Sequence, residues 1–224
     1  LRARFALDGS RPLVVAASTH APEESLIVEA FTRLRADLPH INARLLVAPR
    51  HPERFAEVAA LLDSSGLSWS RRTAEPSPRD ATCDAILLDT VGELRAAYPL
   101  AEVVFVGGSI APTGGHNVLE PAAAARCVVT GAHTFNFAEI ISDFLAHDAL
   151  VQLPALASAE MPAALSDVLR KLLIDGQRRR LLGDNALALV KQKRGATGRT
   201  IELLTPIFEQ RSEVRGRRSE SHGR

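Results

Sequence analysis

A predicted strand followed by two glycine pairs constrains the fold of this chain most. The apolar segment Val103–Val106 has the composition of a buried strand, and Gly107-Gly108-Ser109 and then Gly114-Gly115 follow it. Glycine has no Cβ and accepts positive φ, so a ligand can approach the backbone closely at both pairs. A helical segment begins near Asn117, so the glycine turn should present free backbone N–H groups to an anion. This order of elements is typical of a nucleotide-phosphate site in an open α/β sheet.

Short β-branched segments alternate with helical patterns along most of the chain. Such alternation predicts right-handed crossovers and a parallel sheet with helices on both faces. We therefore predict one Rossmann-like α/β domain with C-terminal helices over residues 1–210, and a basic tail, 211–224, that is expected to be disordered. The predicted strands are Leu13–Ala17, Arg44–Ala48, Leu67–Ser70, Ala85–Leu88, Val103–Val106, Val128–Thr130 and Ala149–Leu153. The predicted helices are Pro22–Leu38, His51–Leu62, Val91–Tyr98, Leu119–Ala125, Phe137–Ala146, Met161–Ile174, Gln177–Val190 and Thr197–Gln210.

Composition narrows the class of protein. With 46% hydrophobic and 24% charged residues, the chain can bury a sizeable core and is expected to be a soluble fragment. Its net charge of +1 and the lack of a basic, aromatic-rich stripe argue against nucleic acid as a partner. No apolar run has the length of a membrane span. The two cysteines lack metal-type spacing and are expected to be reduced, as in a cytosolic protein. Because the chain opens on Leu1, we expect an excised piece of a longer protein.

Five loops with unusual residues follow predicted strands or the segment just after one. In an open parallel sheet such loops converge at the carboxyl edge, where the carboxyl ends of the strands meet and ligands bind. The loops are Ser18-Thr19-His20, Pro49–Pro52, Thr90–Glu93, Gly107-Gly108-Ser109 and Gly131–His133. Ser18 to His20 are expected to donate or accept hydrogen bonds at this edge, together with Gly107, Gly108 and Ser109. A hydrolase triad is not expected, because no Gly-x-Ser-x-Gly turn is present.

Arg50 is the candidate phosphate ligand. Pro49 and Pro52 fix the backbone on either side of it, and a guanidinium held in this way suits bidentate binding of a phosphate. The alternative is an ion pair with a carboxylate at the start of the next helix. The neighbouring glycine-rich turn favours the phosphate role.

Two other loops leave alternatives open. Asn117 and Glu120 fit a helix capping box, but Pro121 could delay the helix and leave Glu120 free to bind the hydroxyls of a ribose. Val91-Gly92-Glu93 could present backbone groups to a nucleobase, or could simply begin a helix. His20, His51, His116 and His133 share the edge without the spacing of metal ligands, so no metal is expected; without a Walker loop, neither is NTP hydrolysis.

Six motifs occur along the chain in a fixed order: Ala17–His20, Val47–Phe55, Asp89–Leu94, Phe105–Ser109, Gly114–Ala122 and Thr134–Phe137. Together they resemble the C-terminal half of the 3-deoxy-D-manno-octulosonic acid (Kdo) transferases. The resemblance covers roughly residues 11 to 190 and implies a GT-B fold, in which two Rossmann-like domains face each other across a cleft. It implies that the C-terminal domain binds the donor CMP-Kdo. The implied CMP contacts are Pro49, Arg50, Val91, Gly92, Glu93, Asn117, Val118, Leu119 and Glu120, with Glu120 on the ribose.

The resemblance also implies what lies outside this sequence. In the family, the catalytic glutamate, the membrane anchor and the site for the acceptor lipid IVA belong to the N-terminal domain, at the cytoplasmic side of the bacterial inner membrane. The implied reaction is a metal-independent, inverting transfer without a cofactor, for which this chain holds no catalytic residue. We expect the piece alone to bind CMP weakly and to transfer nothing. The alternatives are the UDP-sugar half of another GT-B enzyme and a non-catalytic nucleotide-binding module.

The chain departs from the family pattern at three positions. Proline stands at residue 22, where the family usually has glycine before the two glutamates Glu23 and Glu24. Cys127 and Ala132 stand where proline is usual. From the residues alone, Glu23 and Glu24 are expected to be acidic residues of a first helical turn.

Overall fold

A computed structural model describes residues 1–193 of the chain. The chain divides into two compact units, residues 1–187 and 188–224, and the described part of the second, 188–193, is helical. The predicted helix Thr197–Gln210, the predicted domain boundary at 210 and the basic tail lie outside the described residues. Within the described range, no helix is both long enough and apolar enough to cross a membrane.

The first unit is built on a seven-stranded sheet in which every pairing is parallel. The strand order is β3-β4-β2-β1-β5-β6-β7, which confirms the predicted Rossmann-like α/β class. The strands are β1 (Leu13–Thr19), β2 (Arg44–Pro49), β3 (Trp69–Arg71), β4 (Ala85–Leu87), β5 (Val103–Val106), β6 (Cys127–Thr130) and β7 (Val151–Gln152). β1 and β5 pair in the centre, and the chain leaves them in opposite directions. This is the switch point at which ligands bind in open α/β sheets.

Six helices with defined ends connect or cover the strands. They are α1 (Glu23–Asp37), α2 (Phe55–Ser64), α3 (Leu94–Ala97), α4 (Leu119–Ala123), α5 (Ala138–Ala146) and α6 (Met161–Ile174), and residues 176–187 are also helical. The helix predicted for Val91–Tyr98 begins later, at Leu94, because Gly92 has a φ of +87°, outside the helical region. The predicted helix from His51 opens instead with a 3₁₀ turn, Pro52–Arg54.

The core lies on both faces of the sheet. All residues of β2, β4, β5 and β6 are buried, as expected for strands covered on both sides. On one face, α1, α2 and α6 pack against the sheet, with Phe31, Leu62 and Leu165 completely buried. Full burial of such a side chain contributes about 1.5–3 kcal/mol relative to exposure. This packing holds the carboxyl ends of the strands, and the loops that follow them, in fixed positions.

Candidate functional site

The glycine turn after β5 binds a carboxylate that belongs to the protein itself. Glu23, in the first turn of α1, is fully buried. Its carboxylate accepts five backbone hydrogen bonds, from His20 (3.0 Å), Gly108 (2.7 Å), Ser109 (2.9 Å), Ile110 (2.8 Å) and Ala111 (3.2 Å). The N–H groups of Gly108 and Ser109 that the sequence predicts to be free are therefore occupied. The prediction was wrong on this point because the anion comes from a neighbouring element of the fold.

Gly107 and Gly108 make this contact possible. A Cβ on Gly107 would lie 2.6 Å from the Ser18 carbonyl oxygen and 2.7 Å from a Glu23 carboxylate oxygen. Gly108 has a φ of +66°, and its carbonyl oxygen accepts hydrogen bonds from Gly115 N–H (2.7 Å) and the Thr113 hydroxyl (2.9 Å). The chain therefore folds back on itself between the two glycine pairs.

Two of the predicted edge residues have buried, internally bonded side chains. The Thr19 hydroxyl donates to Glu24 at 3.0 Å, and Glu24 also forms a partly buried ion pair with Arg54 at 3.0 Å. The Ser109 hydroxyl donates to the Val106 carbonyl oxygen (2.6 Å) and accepts from Gly131 N–H (2.8 Å). Both side chains are fully buried, so they hold the loops together rather than face solvent. Ser18, which has a φ of +54°, and His20 are partly exposed.

Three histidines meet at the carboxyl edge. The Nε2 atoms of His20 and His116 lie 2.7 Å apart, and the two ring planes differ by 14°, with centroids separated by 5.0 Å. His51 contacts the His20 ring edge-on at 5.1 Å. Burial, and then the charges of His20 and Arg50, lower the pKa of His116 to about 4. Burial also lowers the pKa of His20, although Glu23 opposes the shift. Within residues 1–193, no group of His, Cys, Asp and Glu side chains is arranged to hold a metal ion.

Arg50 lies beside these histidines with an exposed side chain. Its backbone N–H donates to the Thr19 carbonyl oxygen at 3.0 Å, which joins the loops after β1 and β2. Its guanidinium has no hydrogen bond or ion pair with any described residue, so the ion pair considered as the alternative role is not formed. A free guanidinium at this edge is available to an anionic ligand.

In the loop after β4, the Val91 side chain is exposed and the Glu93 side chain is hydrogen-bonded. Val91 is 82% exposed, and a Cβ on Gly92 would meet no atom within 4 Å. The Glu93 carboxylate accepts hydrogen bonds from the Thr90 hydroxyl (2.7 Å) and from Arg72 (2.9 Å). These partners, the Thr90 hydroxyl first, keep the pKa of Glu93 below its ordinary value. The backbone at Gly92, rather than the Glu93 carboxylate, is therefore the open part of this loop.

The loop before α4 forms only part of the hydrogen bonding that a capping box requires. The Asn117 side-chain oxygen accepts a hydrogen bond from Leu119 N–H at 2.9 Å, while the buried Val118 occupies the N-cap position. Glu120 is exposed and has no hydrogen bond or ion pair with any residue in 1–193, so the reciprocal half of a capping box is not formed. Burial, and then the Glu120 carboxylate, raise the pKa of Tyr98.

The structure brings the predicted loops to one edge of the sheet. Arg50, Gly92 and Glu120 follow β2, β4 and β5, and these strands lie next to each other or to β1 in the centre of the sheet. Arg50 and Glu120 offer opposite charges at this edge, and both are unpaired among residues 1–193. Sequence reasoning missed the role of Glu23, because its position predicts only a first-turn acid. The one signal was a pair of glutamates separated by two residues from the Ser18–His20 loop.

Comparisons with known proteins relate the chain to one enzyme family. No protein-family model matches the chain. It is 38% identical to the 3-deoxy-D-manno-octulosonic acid transferase of Haemophilus influenzae over 199 residues, which cover 89% of this chain and 45% of the relative. The transferase of the same description from Bordetella pertussis is also 38% identical, over 87% of this chain and 44% of the relative. The chain therefore spans less than half the length of these curated relatives.

A solved domain structure aligns with this chain over nearly all of the domain's length. The C-terminal CMP-Kdo binding domain of WaaA from Acinetobacter baumannii is 35% identical and superposes with a TM-score of 0.72. The match covers 86% of this chain and 94% of that domain.

Proposed function

The chain belongs to the 3-deoxy-D-manno-octulosonic acid (Kdo) transferase family, and from this premise we propose that it is the donor-binding half of a GT-B glycosyltransferase that uses CMP-Kdo. The observation that carries the proposal is the 35% identity over 94% of a solved CMP-Kdo binding domain. The opposite charges of Arg50 and Glu120 at the carboxyl edge, which have no partner in the described part of the chain, support it independently.

Three loops would bind the nucleotide. Pro49 and Arg50 would hold the phosphate, since the Arg50 guanidinium is exposed and unpaired within the described residues. The backbone of Val91-Gly92-Glu93 would contact the base, because the space around Gly92 is open. Glu120 would accept hydrogen bonds from the ribose hydroxyls, beside the backbone of Asn117, Val118 and Leu119. The buried carboxylate of Glu23 would keep these loops in place without touching the ligand.

The chemical role of this half would be to hold the donor and stabilise the leaving group. Transfer of Kdo to a sugar hydroxyl of lipid IVA, with inversion, separates CMP from the sugar and develops negative charge on its phosphate. Arg50 would stabilise that charge. The base that takes the proton from the acceptor hydroxyl, the acceptor site and the contact with the cytoplasmic face of the inner membrane would belong to the N-terminal half of the full-length enzyme. We therefore propose a role in lipopolysaccharide biosynthesis that this half does not perform alone.

Calorimetric titration with CMP, UMP and UDP tests the proposal. We expect CMP to bind more tightly than either uridine nucleotide. Arg50→Ala should weaken CMP binding by about 1.5–3 kcal/mol, the contribution of a charge-assisted hydrogen bond. Arg33→Ala is the matched control, because Arg33 pairs with Glu29 on the exposed side of α1. Tighter binding of UDP would instead favour the donor half of a UDP-sugar enzyme, and equal CMP affinity in Arg50→Ala would remove Arg50 from the site.

A further inference from the structure

Two imidazole rings from different loops share a single short contact at the carboxyl edge. The Nε2 atoms of His20 and His116 are 2.7 Å apart, within hydrogen-bonding distance. One of the two nitrogens must therefore carry a proton and the other a lone pair. The pair accommodates no net charge or one positive charge. It cannot hold two, because two Nε2–H groups would then face each other.

The fold builds this contact from both sides. The backbone N–H of His20 donates to Glu23, and the same carboxylate binds Gly108 and so orients the loop that carries His116. The His116 ring lies against Gly108, where a Cβ would come within 3.0 Å of it. The short distance between the two rings thus depends on the buried Glu23 carboxylate and on the absence of a side chain at Gly108.

The charges around the pair favour an incoming anion. Glu23, Glu24, His51 and Arg50 all act on His20, and His51 and Arg50 act on His116. The two carboxylates are already engaged, Glu23 by backbone N–H groups and Glu24 by Thr19 and Arg54. Arg50 is the cation near the pair that has no partner within the described residues. It disfavours a proton on the empty pair, and an anion bound to Arg50 would remove that effect.

We propose that His20 and His116 form a proton-linked anion site, which takes up one proton when the phosphodiester of the nucleotide donor binds at Arg50. This inference rests on the proposed function for the identity of the anion. Burial lowers the pKa of both histidines, that of His116 to about 4, so the pair without a bound anion favours its neutral form. A bound anion raises the pKa of the pair, so the complex holds more protons than the free protein. Affinity for the anion therefore rises as the pH falls towards the raised pKa.

Calorimetry in buffers of different ionisation enthalpy measures this proton directly. The probe is the methyl ester of CMP, a phosphodiester that, unlike CMP with its second phosphate pKa of about 6, does not titrate in this range. At pH 6, wild-type protein should take up about 0.5 to 1 proton per ester bound, and its affinity should rise about tenfold between pH 8 and pH 5.5. His116→Gln and His20→Gln should each abolish the uptake and flatten the pH profile. His40→Gln, an exposed histidine at the opposite edge of the sheet, should leave both unchanged.

The outcomes separate this inference from the proposed function. Binding of the ester to wild-type protein without proton uptake would overturn the histidine pair and leave the nucleotide site intact, whether or not the variants fold. Proton uptake that survives in His20→Gln and His116→Gln but disappears in His51→Gln would also overturn the assignment to this pair. Failure of wild-type protein to bind the ester at any pH would reject both proposals.

Discussion

The carboxylate of Glu23 accepts a hydrogen bond from the backbone N–H of Gly108 at 2.7 Å, which joins two residues 85 positions apart in the chain. This bond links the start of α1 to the glycine turn after β5, at the switch point of the sheet. The turn has the form of an anion site, but its backbone donors are satisfied by the protein. These donors are therefore not free for an anionic ligand, whereas the Arg50 guanidinium at the same edge is unpaired among the described residues.

Glu23→Gln should lower the free energy of unfolding by about 2–4 kcal/mol, since an amide group would face backbone N–H donors in a buried site. Urea unfolding of the full chain measures the change. Glu29→Gln on the same helix is the control, because the Glu29–Arg33 pair is exposed and should contribute no more than about 0.5 kcal/mol. Equal stabilities of the two variants would contradict the structural role of Glu23.

Gly107→Ala should destabilise the fold by about 1–3 kcal/mol or more. The added methyl group would lie 2.7 Å from the Thr19 Cα and 2.6 Å from the Ser18 carbonyl oxygen, both of them backbone atoms that cannot rotate away. Gly176→Ala is the matched substitution, since its nearest neighbours are arginine side-chain ends at 3.5 Å or more. It should be neutral or stabilising by up to about 1 kcal/mol. Thermal unfolding of both variants would reveal the difference, and similar midpoints would argue against a close approach at Gly107.

Glu120 should discriminate ribose from deoxyribose. If its carboxylate binds the ribose hydroxyls, CMP will bind more tightly than 2′-deoxy-CMP by about 1.5–3 kcal/mol. Glu120→Ala should reduce that preference to under about 0.5 kcal/mol. The control Glu53→Ala removes another exposed carboxylate, next to His51. It should leave the preference for CMP over 2′-deoxy-CMP unchanged. A preference that persists in Glu120→Ala would assign ribose recognition to another residue.

Cys127 should be nearly inert in the folded protein. Burial raises the pKa of its thiol from 9.0 to about 12, so the thiolate fraction at pH 8 should fall by about a thousandfold. Iodoacetamide labelling of a Cys83→Ser variant isolates this thiol, and the serine hydroxyl keeps an acceptor for Arg44, which donates to Cys83 at 2.9 Å. Labelling in denaturant should restore the ordinary rate. Rapid labelling of the native protein would mean that the thiol is accessible.

Local sequence patterns were sufficient for most of the fold. The short β-branched segments become strands of one parallel sheet, because strands buried on both faces require continuous apolar runs. The loops that follow these strands lie at one edge of the sheet, because the carboxyl ends of parallel strands are on the same side. The helix ends were less predictable, because Gly92 and Pro52 interrupt patterns that otherwise continue.

Contacts between distant residues could not be predicted in this way. Glu23 has the local signature of a first-turn acid, and only the pairing of β1 with β5 brings the glycine turn to it. The same pairing brings His116 to His20, 96 positions away. Arg44 is a third example, since a fully buried arginine at the start of β2 is satisfied by the carbonyl oxygens of Phe5, Asp80 and Cys83.

The binding of a nucleotide at the carboxyl edge is tested most directly by amide NMR. We predict that titration of the ¹⁵N-labelled chain with CMP shifts the amide resonances of residues 50–51, 91–93 and 117–120 together, with a single affinity. The groove lined by Trp69 and Arg79, at the amino ends of β3 and β4, should not respond. Shifts confined to that groove, or the absence of shifts at all three loops with saturating CMP, would contradict a nucleotide site built from Arg50, Gly92 and Glu120.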